Sequence, residues 1–274
     1  MIVIGEKINI MSKTIGPAMR ERDEGPIRAM ALKQVEGGAD VLDINLGPAT
    51  KGGPEMMEWV VKVVQDTVPD TRLSLDTMNP LAMEAGLKVC KLQPIINSTS
   101  AERARLEVFL PLAKTYEAEI IGLAMTEQGV SRDANERVEA AMTILAAMME
   151  FDVPADRVYI DPLLLPVSVA QQQAAEAAGA ISMFGMLNDP PLKSTVGLSN
   201  IYNGCPEHVK SPLAAALLAI MIPAGLSSAI MDSNDELQMK VARTDPAELE
   251  ATEELAKSMA VLRNEILYCS SYLD

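Results

Sequence analysis

RLSLDTMNPLAMEAGLKVCKLQPIIN, residues 72–97, is the stretch on which the fold turns. Two short apolar runs, RLSLD at 72–76 and PIIN at 94–97, enclose a helix-like segment, and each run ends in a small polar residue, Asp76 and Asn97. A strand, a helix and a second strand in so short a span read as a parallel βαβ unit. The same alternation continues outward in both directions. IVIG at 2–5 and VLDIN at 41–45 precede the unit, and EIIGLAMT at 119–126, VYID at 158–161, TVGLSN at 195–200 and LSSAIMD at 226–232 follow it. Helix-like segments fill the gaps. From Asp133 to Met149, Asp133 is the expected N-cap with Glu136 three residues on, and Val138, Ala141, Met142, Leu145 and Met149 keep helical spacing. Gly25 to Val35 forms another, with Gly37 and Gly38 as its C-cap signal.

Eight such units in 274 residues predict a single (β/α)8 barrel, one domain over residues 1–274. A doubly wound open sheet is the alternative, but no GxGxxG follows the first strand. The segment after Asp232 is expected to hold the last barrel helix and a tail, with Leu262, Ile266 and Leu267 as an apolar packing stripe.

Composition narrows the function. Nearly half the residues are apolar (49%), enough for a large core without disulfide staples. A net charge of −15 repels phosphate backbones and anionic lipid, which argues against nucleic-acid and membrane roles. The N-terminus, MIVIGEKI, lacks the pattern of a signal peptide, and no run of ~20 apolar residues is present to span a bilayer. Cys90, Cys205 and Cys269 lie far apart without CxxC spacing, as expected of reduced thiols in a cytoplasmic protein. With one histidine, His208, neither a three-His site nor HExxH is available, and no metal is expected.

The strands end in, or are soon followed by, Asn9, Asn45, Asp76, Asn97, Thr126, Asp161, Asn200 and Asp232. In a barrel these ends share the face where active sites are built. About half are expected merely to cap turns and helices. Asp76, Asn97 and Asp161 differ, because each closes an apolar run and so stands partly desolvated at the barrel mouth. A carboxylate there needs a cation or several donors, and no Lys or Arg adjoins them in sequence. A ligand with paired N–H donors would satisfy them. Asp43 and Asn45 alternate with Leu42 and Ile44, so they share the inward strand face, either as a structural layer or as support for the ligand site. Lys7 raises the idea of a Schiff-base lysine, which neighbouring Glu6 counters by keeping it protonated. His208 is either an exposed loop residue or a general base.

Several longer motifs occur in order: IGEKIN (4–9), LDINLGPA (42–49), EWVVKVVQ (58–65), LDTMNPLAMEAGLK (75–88), INSTSAER (96–103), IIGLAMTEQGV (120–130), YIDPLLLPVSVAQ (159–171) and GLSN (197–200). With them the chain resembles the pterin-binding barrel superfamily, and within it the methyltetrahydrofolate:corrinoid protein methyltransferases more than the dihydropteroate synthases. The resemblance implies a pterin ring held by Asp76, Asn97 and Asp161, with Asn200 near the pterin N5 and Ser199 and Asn203 beside it. Asn200 and Asp161 are the implied catalytic pair. The substrate implied is tetrahydrofolate or 5-methyltetrahydrofolate, and the second substrate a corrinoid (cobalamin) carried by a transient partner protein. No DxHxxG motif is present to hold a corrinoid on this chain. A homodimer is also implied, for which the apolar segment Pro212 to Ile222 is either the interface or simply part of the barrel's outer ring.

Beyond GLSN the chain departs from the acetyl-CoA-pathway members, carrying Asn203 and His208 where they have Gln and Arg. The departure favours transfer from a methyl-corrinoid to tetrahydrofolate in glycine betaine, methylamine or aryl methyl ether demethylation. The acetyl-CoA pathway direction is the alternative. A synthase is disfavoured, since GLSN and AIMD stand where synthases carry Lys and Arg-x-His. A non-catalytic folate-binding protein is the third class.

Overall fold

The computed structural model describes residues 1–49 and 51–273. The chain runs β1 (Ile2–Asn9), α1 (Ile15–Glu21), α2 (Glu24–Glu36), β2 (Val41–Gly47), α3 (Gly53–Thr67), β3 (Arg72–Thr77), α4 (Pro80–Leu87), β4 (Ile95–Ser100), α5 (Arg103–Thr115), β5 (Glu119–Leu123), the hairpin strands β6 (Met125–Thr126) and β7 (Gly129–Val130), α6 (Ala134–Glu150), β8 (Val158–Asp161), α7 (Val167–Ala170), α8 (Gln173–Phe184), β9 (Lys193–Ser194), α9 (Glu207–Met221), β10 (Ser228–Met231), α10 (Glu236–Arg243) and α11 (Glu253–Leu262). Eight strands pair in the order β10-β1-β2-β3-β4-β5-β8-β9. The Ser227 N–H bonds the Ser194 carbonyl at 3.3 Å and the Ile230 N–H bonds the Val196 carbonyl at 2.9 Å, so β10 meets β9 and the ring closes. The fold is the expected single (β/α)8 barrel.

Packing follows from side-chain spacing. On α3 the i, i+3, i+4, i+7 set Met57, Val60, Val61 and Val64 is fully buried against the strands. Each such side chain contributes roughly 1.5–3 kcal/mol relative to exposure. Inside the barrel Ile4, Val41, Ile95, Ile121 and Tyr159 form a separate apolar plug. Below it, buried Glu119 is paired with both Arg72 and Lys193, at the N-terminal ends of their strands. The bottom of the barrel is therefore shut by an ion-paired carboxylate, and the barrel opens above the plug.

Five sequence expectations need refining. On α6 the inward face is Ala140, Ala141, Ile144 and Met148 together with Arg137, whereas Met142 and Met149 are 55% and 79% exposed. The cause is Arg137: fully buried, it donates to the Pro162 carbonyl (2.7 Å) and the Gln173 side chain (2.8 Å), so a polar residue heads the buried row. The fifth strand stops at Leu123, because Met125 and Thr126 turn away to pair with Val130 and Gly129. TVGLSN is only partly strand-like: Thr195 and Val196 carry the ladder on, through Thr195 N–H to the Ile160 carbonyl (3.0 Å), but Leu198–Tyr202 winds into a 3-10 turn. In the tail, Leu262 is buried while Leu267 is 85% exposed. On α9, Pro212 to Leu218 are buried within this one chain, packed against α10 and α11, so that face is not open to a second copy. Among the described residues no helix is long and apolar enough to cross a membrane.

Candidate active site

A cavity of about 540 Å³ opens at the C-terminal ends of the strands. Register builds it. Asn45 on β2 stands opposite Asp76 on β3, and Asp76 opposite Asn97 on β4, so three polar strand ends form one row above the apolar plug. Asp161 reaches the same cavity from β8, and Ser199 and Asn200 from the 3-10 turn. Asp76, Asn97, Asp161, Ser199 and Asn200 thus all line one space. Asn203 does not line it. It is exposed at the end of the turn, its side-chain amide 3.5 Å from the Asn200 side-chain oxygen Oδ1, so it stands behind Asn200. Thr126 lies in the hairpin, and Asn9, on the cavity wall, caps the Met11 N–H at 2.8 Å. His208 is exposed on the first turn of α9.

Asp43 and Asn45 are both cavity wall and scaffold. The buried Asp43 carboxylate accepts from the Ser74 hydroxyl (2.6 Å) and the Asn97 amide (3.1 Å), which fixes how Asn97 presents its remaining groups. The Asn45 amide donates to Asp76, while its oxygen accepts from the Gly47 N–H at 2.9 Å. The Asp161 carboxylate accepts from the Leu163 N–H at 2.8 Å; Leu163 itself adopts φ +64 at the cavity edge. Each predicted ligand group is thereby locked in orientation, with lone pairs or donors left over toward the open space.

Glu6 was not anticipated as a wall residue. Alternation along a strand puts only one of two neighbours inward, yet Glu6 and Lys7 both line the cavity. The β1–β2 register shifts between Gly5 and Ile8, a bulge that re-aims side chains. Buried Gln34 accepts the displaced Lys7 N–H at 2.8 Å. Only glycine at position 5 leaves room for this, because a Cβ would sit 2.6 Å from the Gln34 oxygen. Gly5 in IGEKIN was the signal available in the sequence.

Electrostatics follow from burial with few cations. Desolvation raises Asp161 to about 7, against the Leu163 and Gly197 N–H groups and the field of Arg137. Desolvation and then the Asp43 charge raise Asp76 to about 8; Asp43 itself is pushed up to about 6 by burial, opposed by Ser74 and Asn97. Glu6 is also raised by burial, with Lys7 and the Ser199 hydroxyl opposing. Lys7 is not a free amine. It sits 2.9 Å from Asp232 and 3.5 Å from Glu6, and although burial opposes its charge, these partners raise its pKa. Protonated lysine is no Schiff-base nucleophile. The cavity is thus a carboxyl-rich cup that accepts hydrogen bonds from a neutral or cationic N–H-bearing ligand.

Residues 11–232 match the family model for pterin binding enzymes. Over 238 residues the chain is 28% identical to a methylcorrinoid:tetrahydrofolate methyltransferase of Eubacterium limosum, covering 85% of each. It is 26% identical over 245 residues to a methionine synthase of Mycobacterium leprae, of whose length it spans 20%. Among solved structures, dihydropteroate synthase from Xanthomonas albilineans in complex with 7,8-dihydropteroate superposes with a TM-score of 0.61 at 19% identity, covering 88% of this chain and 90% of the other. The synthase from Stenotrophomonas maltophilia gives 0.62 at 18%, covering 88% and 89%. At such identity the likeness to the synthases is one of fold. The family match spans most of the barrel, from the first strand–helix loop to the end of β10, and the chain belongs to the family of pterin-binding enzymes.

Proposed function

We propose that this chain is a methyltransferase that moves a methyl group between a corrinoid carried on a separate protein and N5 of tetrahydrofolate, in the direction of tetrahydrofolate. The observation that carries the reading is the row of Asp76, Asn97 and Asp161 on one cavity, in a chain alignable along most of its length with the E. limosum enzyme. A pterin edge offers N3–H and a 2-amino group side by side, and a carboxylate such as Asp161 accepts both. Asn97, held by Asp43, supplies a donor and an acceptor to adjacent ring atoms, and Asp76 a further acceptor.

Methyl transfer is an in-line displacement that asks for positioning more than for a protein nucleophile. Toward tetrahydrofolate, the N5 lone pair forms the N–C bond as the cobalt–carbon bond breaks. Both electrons of the broken bond stay on cobalt, and N5 becomes cationic until its proton leaves. The Asn200 side-chain oxygen accepts that N5–H, an interaction that strengthens as charge develops. Demethylation of betaine-, methylamine- or aryl-ether-type donors would supply the methyl group. Synthase chemistry suits the cavity poorly. Its walls carry Glu6, Asp43, Asp76 and Asp161, and Lys7, the one cation lining it among the described residues, is already paired twice, so a leaving diphosphate finds no unpaired cation on the cavity wall.

Single-turnover mixing of the chain and tetrahydrofolate with methylcobalamin or a methylated corrinoid protein tests the proposal. Appearance of cob(I)alamin together with 5-methyltetrahydrofolate supports it. Tight tetrahydrofolate binding with no transfer from either donor would make the chain a folate-binding protein instead.

A further inference from the structure

We propose that a cleft between α1 and α3, just outside the barrel rim, binds the carboxylates of a γ-linked glutamate tail, so that the chain prefers polyglutamylated folates; this rests on the folate reading above. The cleft holds about 280 Å³ and is lined by Ile10, Leu46, Ala49 and Met56 with two cations, Arg20 and Lys51. It shares a wall with the main cavity. Ile10 lies between Asn9 and Met11, and Leu46 follows Asn45, all three of which face the main cavity. Alternation along β2 turns Asn45 inward and Leu46 outward, so a ligand leaving the mouth over the ends of β1 and β2 enters the cleft.

Charge selects what the cleft takes. Arg20 and Lys51 are exposed, and neither makes a hydrogen bond or ion pair with another described residue. Of the other cations near the mouth, Lys7 is held by Asp232 and Glu6, Arg105 by the Ser98 carbonyl and Arg132 by Glu136, while exposed Lys13, in the loop before α1, adds to the same side of the rim. No carboxylate lines the cleft among the described residues. Glu55, in the first turn of α3, is the nearby acid, and it points toward Gly52. The main cavity, by contrast, is lined with four carboxyls, and the rim beyond β10 carries Asp232 and Asp235. In a chain of net charge −15, an anionic tail is driven from the carboxyl-lined mouth toward this positive sector. The first turn of α3 adds backbone donors there, since its N-cap Gly52 offers no side-chain cap. The apolar strip of Ile10, Leu46 and Met56 suits the methylene groups between successive carboxylates. A single glutamate stays near the rim; the second and third extend into the cleft.

The test compares tetrahydropteroyl mono- and triglutamate by calorimetry on the wild-type chain and on Arg20→Ala/Lys51→Ala. Both side chains are exposed, so the variant keeps its fold. Wild type should bind triglutamate about tenfold tighter, the sum of two exposed charge contacts, with the preference shrinking as salt is raised. The double variant should lose the preference and keep its monoglutamate affinity. Equal wild-type affinity for the two ligands, or an undiminished preference in the variant, overturns the site while leaving the folate reading intact. Failure of wild type to bind either ligand overturns both.

Discussion

Proton release on ligand binding is the sharpest consequence of the cavity's electrostatics. Burial raises Asp161 to about 7, so the free chain holds a proton there through the acidic side of neutrality. A pterin edge presents two N–H donors that only the ionised carboxylate accepts in full, and binding therefore returns Asp161 toward its ordinary value of 3.8. Linkage fixes the sign and size. Below pH 7 the proton must leave for the ligand to bind; above it the site is already ionised. From Asp161 alone, tetrahydrofolate should bind about tenfold tighter at pH 8 than at pH 6, with roughly 0.9 proton released at pH 6 and roughly 0.1 at pH 8. Asp76, raised to about 8, adds to the release in the same direction if it too meets a donor. Calorimetry in pairs of buffers with different ionisation enthalpies reads both quantities. Asp161→Asn should abolish the Asp161 component and bind no better than wild type at pH 6. A wild-type affinity flat from pH 6 to 8, with no proton released, would refute the argument. The ligand-free chain gives a check of opposite sense. A carboxyl whose folded pKa lies above its unfolded value stabilises less as pH rises between the two, here from about 4 to about 7, so Asp161→Asn should raise the apo melting temperature more at pH 8 than at pH 5.

Asp76→Ala and Asn97→Ala should each weaken tetrahydrofolate binding by about 1–3 kcal/mol, the cost of an unmet buried polar partner; wild-type affinity in both by calorimetry would remove them from the site. Gln34→Leu strips the acceptor from the Lys7 N–H at the β1 bulge, so denaturant unfolding should show a loss of about 1–3 kcal/mol, and an unchanged midpoint would contradict the proposed role of the bulge. Arg137→Met leaves the Pro162 carbonyl without its donor beside Asp161; it should cost about 2–4 kcal/mol of stability and move the pH dependence of binding to higher pH, because the field that lowers Asp161 is gone. Gly197→Ala places a Cβ 3.0 Å from the Asn200 amide nitrogen. Single-turnover transfer should slow roughly tenfold or more with little change in folate affinity, and an unaltered rate would show that Asn200 can shift at no cost.

What the sequence made legible was whatever a strand or helix period records. The eight β/α units were readable because each buries one face, and Asp76, Asn97 and Asp161 stood out because they close apolar runs. Departures from the period were not readable. Glu6 enters the cavity through a bulge held by Gln34, whose side chain meets the Lys7 N–H 27 positions away, a contact that no local pattern encodes. The α6 face was misjudged because Arg137, polar by type, is buried by virtue of partners in the Pro162–Leu163 segment and α8. Asn203 was expected beside the pterin with Asn200, but the 3-10 turn ends at Tyr202 and the chain is already extended at Asn203, so at a rise of about 2 Å per residue Asn203 stands further along, behind Asn200, and only Asn200 reaches the cavity wall.

That turn separates holding the ligand from acting on it. Asp76, Asn97 and Asp161 sit at the ends of hydrogen-bonded strands, fixed by Asn45, Asp43 and the Leu163 N–H, so they present the same geometry before and after the ring arrives. Asn200 sits on Leu198–Tyr202, tied down by weaker contacts: its own N–H to the Gly197 carbonyl at 3.2 Å and the Asn203 amide at 3.5 Å. A group on rigid backbone lowers the energy of substrate and transition state alike, whereas one that completes its contact as charge builds lowers the barrier. Asn200→Ala should therefore slow methyl transfer about 10–1000-fold, the range for losing a hydrogen bond to developing charge, while weakening tetrahydrofolate binding less than Asp161→Ala does. If Asn200 serves only to shape the turn, the variant melts earlier and transfers at the wild-type rate. Stopped-flow transfer between methylcobalamin and tetrahydrofolate distinguishes the two, and a rate within about twofold of wild type, well under 1 kcal/mol of barrier, ends the catalytic assignment of Asn200.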